Sequence, residues 1–274
     1  MNVEPLVSLI QAQGLAAYQT ELLAHVRPAI ALHLEPAQPG QVGHSRIGGV
    51  PDLPASIAWL QDDRLNKYLC FLLQINLADL PVFAESPFPR QGMLYLFADE
   101  DGEPEQVVLY TGSESLTPAL LPNEAEFVTD WYVDLIEHQL TFTLFADLPR
   151  WATDDYQALC DRLQLNENSY DDLIHAIDTN SIGKLLGHVA GIGHDPREDA
   201  YIVREINPNL IYDYQQRSKL DMTGARRWCN LLQVNSSQAV DLLFGDSGYL
   251  QLLVHDHDLQ RQDFSRVYIN LESS

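Results

Sequence analysis

His255-Asp256-His257-Asp258 places two imidazoles and two carboxylates within one short stretch. On a strand, residues two apart share a face, so His255 and His257 would point the same way and could hold zinc or nickel. A closed metal site needs a third and a fourth ligand, and only Asp263 is near in sequence. The ordinary reading is therefore a solvated strand end and turn. His188 and His194 form a looser pair beside Asp195, with a capped loop as its ordinary reading. Gly245-Asp246-Ser247-Gly248 is similar to the nucleophile segment of trypsin-like proteases but lacks the following Gly-Pro. A triad is a matter of geometry, and a turn into a strand is the ordinary reading here. No nucleophile elbow, phosphate loop or dinucleotide fingerprint is present. Cys70, Cys160 and Cys229 sit among apolar residues, which suits buried, reduced thiols rather than thiolate catalysis. No residue is assigned a catalytic role, and no cofactor is expected.

Four amides remain: Gln74, Asn76, Gln233 and Asn235. An amide inside an apolar strand must find partners or cost about 1–3 kcal/mol. Each could bond backbone in a neighbouring turn. Alternatively, both pairs line a cleft, joined by Arg46, His188 and Asp246, with Gly48 and Gly49 leaving bare backbone open to a ligand.

The amides belong to a stretch that the chain uses twice. Tyr-Leu-Cys-Phe-Leu-Leu-Gln-Ile-Asn occupies 68–76, and Arg-Trp-Cys-Asn-Leu-Leu-Gln-Val-Asn occupies 227–235. Cys70 falls on Cys229, Leu72 on Leu231, Gln74 on Gln233 and Asn76 on Asn235. Strict alternation would put these four on one face of each strand. Both copies are followed by a glycine and a second apolar run, at 92–97 and 248–253. The expectation is a duplicated strand pair about a pseudo-two-fold.

The remaining elements follow from periodicity and caps. An apolar stripe predicts a helix over 3–26, weakened at Gly14 and ended by Pro28. Ala29–Leu34, 107–111, 140–145 and 266–271 read as strands. Asp-Leu-Pro at 52–54, 79–81 and 147–149 reads as a strand-end turn signal. Over 153–178 an acidic helical pair is expected, with Thr153 and Ser169 as N-caps. The fold class is thus α+β, internally duplicated, in two mostly antiparallel β-sheet halves: a first half over about 29–150, the helical insert, and a second half over about 184–271. No linker separates independent domains, so one domain spans 1–274.

The net charge is −23, from 16 basic and 39 acidic residues. Phosphate backbones and anionic membranes would repel such a chain. Solubility accounts for the charge; a basic protein partner would use it. No apolar run approaches the roughly 20 residues that span a bilayer. The N-terminus carries no signal-peptide pattern, and a cytoplasmic location is expected.

Arg46-Ile47-Gly48-Gly49-Val50-Pro51-Asp52-Leu53-Pro54, Leu73-Gln74-Ile75-Asn76-Leu77 and Gly92-Met93-Leu94-Tyr95-Leu96-Phe97 resemble the first part of the bacterial YwqG-like family. Lys184-Leu185-Leu186-Gly187-His188, Asp195-Pro196-Arg197, Leu231-Leu232-Gln233-Val234, Gly245-Asp246-Ser247-Gly248 and Asp263-Phe264-Ser265 resemble its second part, in the right order. The resemblance covers roughly 45–271. One departure is Tyr249 followed by Gln251, where the family has an aromatic pair. The resemblance implies an α+β fold with an internal duplication and no activity. Some similar chains are encoded near secreted toxins, which makes an immunity-like role thinkable but no more. Together with the charge, this favours an interaction module meeting a basic partner; the alternative is a small-molecule binder or hydrolase using the inter-half cleft.

Overall fold

The computed structural model describes the chain except residues 39, 63, 99–105, 124–125, 129–134, 178–179 and 274. Its centre is a pair of ten-residue strands, β1 (Arg27–Pro36) and β10 (His138–Asp147), antiparallel from Arg27↔Asp147 to Pro36↔His138. On the β10 side follow β2 (Arg46–Ile47), β6 (Cys70–Asn76), β7 (Met93–Ala98) and β8 (Gln106–Tyr110). On the β1 side follow β11 (Gly183–Leu186), β12 (Trp228–Asn235), β13 (Tyr249–His255) and β14 (Tyr268–Glu272). Every neighbouring pair in this ten-stranded sheet is antiparallel. Among the described residues two small pairings complete the strands: β3 (Asp52–Pro54) with β9 (Leu116–Pro118), and β4 (Gln61–Asp62) with β5 (Lys67–Tyr68).

The sheet curls. Its inner face joins Ile30, Ile47, Ile75, Leu94, Leu232, Val234 and Leu250 in one apolar cluster. The two ends approach each other: Val107 and Val108 of β8 share a depression with Phe264 and Val267, which precede β14. Gln262 Nε2 donates to Pro87 O at 3.0 Å across the same gap.

The outer face is covered in three places. Helices α1 (Glu4–Ala12), α2 (Gln19–Leu23), α3 (Asp154–Leu163) and α4 (Glu167–Ile177) pack with Ala146 and Leu148. Leu53 of β3 and Leu116 of β9 lie over Phe71, Tyr95 and Phe97. Ala200 of α5 (Pro196–Tyr201) lies with Trp228, Leu253 and Tyr268. The short helices α6 (Tyr214–Arg217) and α7 (Asp256–Arg261) finish the inventory of described α-helices.

Several expectations are corrected. The helix expected over 3–26 breaks at Gly14, whose φ is 73°, into α1, a 3-10 turn and α2. Pro28 does not end a helix but lies inside β1, opposite Ala146 of β10 and outside the ladder with β11. Thr153 does cap α3, its Oγ1 accepting from Tyr156 N. Ser169, in contrast, lies within α4, and Asn166 Oδ1 accepts from its N–H. Asp52-Leu53-Pro54 is a strand rather than a turn.

The largest correction concerns faces. The β6–β7 ladder shifts between Phe71 and Leu73, and the β12–β13 ladder shifts between Asn230 and Leu232. The extra residue, Leu72 or Leu231, sends two consecutive leucines into the inner core. Gln74 and Asn76 thereby move to the outer face, away from Cys70 and Leu72. The identical residues of the repeat do not share one face.

Candidate functional site

Two polar rows cross the outer face of the sheet. Arg46 of β2 pairs with Gln74 of β6, and Gln74 with Tyr95 of β7. Lys184 of β11 pairs with Gln233 of β12, and Gln233 with Gln251 of β13. Beyond each cation the chain makes two consecutive left-handed residues: Gly48 (φ 72°) and Gly49 (φ 70°), then Leu186 (φ 60°) and Gly187 (φ 75°). These conformations turn the backbone back over its row, which favours glycine at both second positions. Three residues later the backbone meets the row. Asp52 N donates to Gln74 Oε1 at 2.7 Å, and Tyr95 Oη donates to Asp52 O at 2.6 Å. At the second row, with the Gln251 amide turned so that its oxygen and nitrogen suit their neighbours, it donates to Ala190 O at 3.0 Å and accepts from Ala190 N at 3.2 Å.

The rows differ in what fills them. In the first, the buried Asp52 carboxylate pairs with Arg46 and accepts from Gln74 Nε2 at 3.0 Å and Gly43 N at 2.7 Å. Asn76 Nδ2 donates to Gly43 O at 2.7 Å, and its Oδ1 accepts from Ala78 N. In the second, Ala190 ends at its methyl group. A cavity of about 180 Å³ opens there, with Arg150, His175, Lys184, Gln233, Asn235 and Tyr249 in its wall. Gln233 Nε2 donates to Asn235 Oδ1 at 2.9 Å. Tyr249 Oη is buried and has no hydrogen-bond partner among the described residues. Burial pushes the Tyr249 phenol well above its ordinary pKa, so it stays a neutral donor.

Asp147, at the end of β10, anchors the two cations of the cavity wall. It accepts from Lys184 Nζ at 2.8 Å, Arg150 Nε at 2.8 Å and His188 N at 2.7 Å. Burial pushes its carboxyl up, but Arg150 and Lys184 outweigh that and hold it well below the usual carboxylate range. His188 lies beneath, with Nε2 2.9 Å from His25 O. Burial lowers its pKa to about 4, so the ring is neutral at neutral pH and donates that bond.

The residues expected to share one cleft are therefore distributed. Arg46, Gln74 and Asn76 meet in the filled first row, with Gly48 and Gly49 in the turn above. Gln233 and Asn235 face the open cavity. His188 is buried behind Asp147, and Asp246 is exposed in a turn. Strands β6 and β12 stand five strand spacings apart, roughly 24 Å at about 4.8 Å per strand. Among the described residues the first pair is enclosed in its row and the second faces the cavity.

The histidine pair is also placed differently. His255 ends β13 and caps α7, accepting from His257 N, so the two rings are not strand neighbours on one face. Among the described residues no group of three His, Cys, Asp or Glu side chains is arranged to hold a metal. His194 Nε2 lies 2.8 Å from Asp199. Gly245–Gly248 forms the turn into β13. Cys70 is buried in the inner core, and burial raises the thiols of Cys229 and, to about 11, Cys160.

Sequence reasoning missed Asp52, Asp147, Arg150, Lys184, Ala190, Tyr249 and Gln251. One signal was available: extending the repeat upstream sets Arg-Ile-Gly-Gly at 46–49 against Lys-Leu-Leu-Gly at 184–187, and hence Asp52 against Ala190.

A family model described as a domain of unknown function (DUF1963) matches residues 45–272. No curated protein matches the chain. No helix among the described residues is long and apolar enough to cross a membrane.

Proposed function

The chain belongs to the DUF1963 family, a domain of unknown function, and from that premise we propose that it is a ligand-binding domain of the YwqG-like kind, built from two copies of one strand unit. The duplication is supported by the sheet order, which reads outward from β1 and β10 through strands of matching role. Matching ladder shifts at Leu72 and Leu231 support it further. So do equivalent closing bonds, Leu77 N to Gly92 O at 2.9 Å and Ser236 N to Gly248 O at 3.0 Å.

The binding place is the cavity beside Ala190. One observation carries this reading: its wall combines two cations that share the single carboxylate of Asp147 behind them, two amides and a buried phenol without a partner among the described residues, and no Asp or Glu among the described residues lines it. That is unusual in a chain with 39 acidic residues against 16 basic. Convergent polar groups in a concavity are what small ligands use. A ligand at a hundred times its Kd stabilises the native state by about 2.7 kcal/mol. A thermal-shift screen of small metabolites tests the reading. Compounds that raise Tm should lose their effect in Tyr249→Phe, which removes one hydroxyl, and keep it in Asn76→Ala, which alters the other row. Shifts indifferent to Tyr249→Phe would move the binding place elsewhere.

A second reading keeps a basic protein as partner. It is favoured by a surface groove in which Trp151, 54% exposed, stands beside Asp154, Asp195 and Glu198. Pull-down at low and high salt tests it. A salt-sensitive partner lost on Trp151→Ala supports it, and no salt-sensitive partner counts against it.

A further inference from the structure

We propose that the ligand of the cavity is a small carboxylic acid, and that Asp52 displays how its carboxylate is held. The inference rests on the binding reading of that cavity. In the first row a carboxylate from the chain itself occupies the outer side of the cation–glutamine pair. Its partners are the Arg46 guanidinium, Gln74 Nε2 and the Gly43 amide. The second row presents the same order of groups, Lys184 then Gln233, in the same ladder positions. The backbone above it is again held at the N–H and C=O of the third residue after the left-handed pair, by Gln74 and Tyr95 in the first row and by Gln251 alone in the second. At that third residue the first row has Asp52 and the second has Ala190. The carboxylate is missing from the side chain, and the volume it would need is open.

Chemistry and size agree with this. Lys184 supplies an ammonium that Asp147 holds from behind, Gln233 an amide that already donates one bond to Asn235, and Tyr249 a buried phenol with no described partner; Lys184 and Arg150 together carry one positive charge more than Asp147 offsets. These are donors suited to an anion's oxygens. A cavity of about 180 Å³ compares with one of roughly 150 Å³ that takes benzene, so a ligand of about six heavy atoms fits. Acetate and lactate lie within that size.

The test measures Tm for wild type, Ala190→Asp and Tyr249→Phe in sodium acetate, lactate, phosphate and chloride at equal ionic strength, and in acetamide. Acetate and lactate should raise wild-type Tm saturably, while chloride and acetamide leave it unchanged. Ala190→Asp should unfold at higher temperature without ligand and no longer respond, because its own carboxylate fills the place. Saturation-transfer NMR on the lactate methyl group reads binding to wild type without any variant, and Tyr249→Phe should weaken it about tenfold. Binding of acetamide or phosphate in place of acetate and lactate would overturn the carboxylate assignment and leave the binding reading standing. No response to any of these probes, with Ala190→Asp behaving as wild type, would remove both.

Discussion

His188 illustrates how burial sets the behaviour of a single side chain. Its ring is enclosed, donates to His25 O, and has a pKa lowered to about 4 from an unfolded value near 6.5. The folded state favours the neutral form. The resulting stabilisation is complete above about pH 6.5 and is lost as pH falls through about 4. The difference amounts to on the order of 3 kcal/mol. Urea unfolding of wild type and His188→Gln across this interval should show a steep loss in wild type and a shallower one in the variant. Equal slopes would place His188 in a solvated setting. Asp147 adds a further loss at still lower pH, because Arg150 and Lys184 favour its charged form in the fold. At this scale the sequence made the four amides conspicuous, since Gln and Asn inside apolar runs demand partners. Their partners were not legible. Gln74 is satisfied by Asp52 and His44 O, residues 22 and 30 positions away, and local pattern carries no record of such a contact.

Glycine and bulge positions control the elements. Gly183 begins β11 opposite Val234, and a Cβ there would lie 2.0 Å from Gln233 O. Gly183→Ala must push β11 away from β12, and the expected cost is about 1–3 kcal/mol, read as a fall in the urea midpoint with an unchanged slope. An unaffected midpoint would mean that the two strands lie farther apart than described. Strands were legible from alternation, and Thr153 was legible as a cap because a short hydroxyl side chain before an acidic turn has a single mechanical use. The bulges at Leu72 and Leu231 were not legible. A Leu-Leu pair fits either register, and one added residue reverses every later side chain. That is why the amides were assigned to the face of Cys70 while the fold turns them outward.

Over the whole molecule, β1 has a place that the family boundary hides. The matched region begins at residue 45, yet β1 lies between β10 and β11, bonded along Arg27–Pro36 to one and Ala29–Leu32 to the other. Removing residues 1–36 would leave a strand-wide gap in the middle of the sheet. The chain from 37 onward should therefore fail to give a cooperative unfolding transition, as read by circular dichroism. A cooperative transition would show that β10 and β11 can close on each other. The acidic segment was legible as helical, and Ile174 and His175 of α4 reach the cavity wall. The α+β class was legible too, whereas the curl of the sheet depends on contacts between its ends that no local stretch encodes.

Asp52 fills its row with a carboxylate from the chain, and the proposed ligand takes the equivalent place beside Ala190. A crystal structure of Ala190→Asp tests this most directly. The new carboxylate should lie within hydrogen-bond distance of Gln233 Nε2, on the Lys184 side, with the cavity closed. A side chain turned to solvent above an open cavity would contradict it.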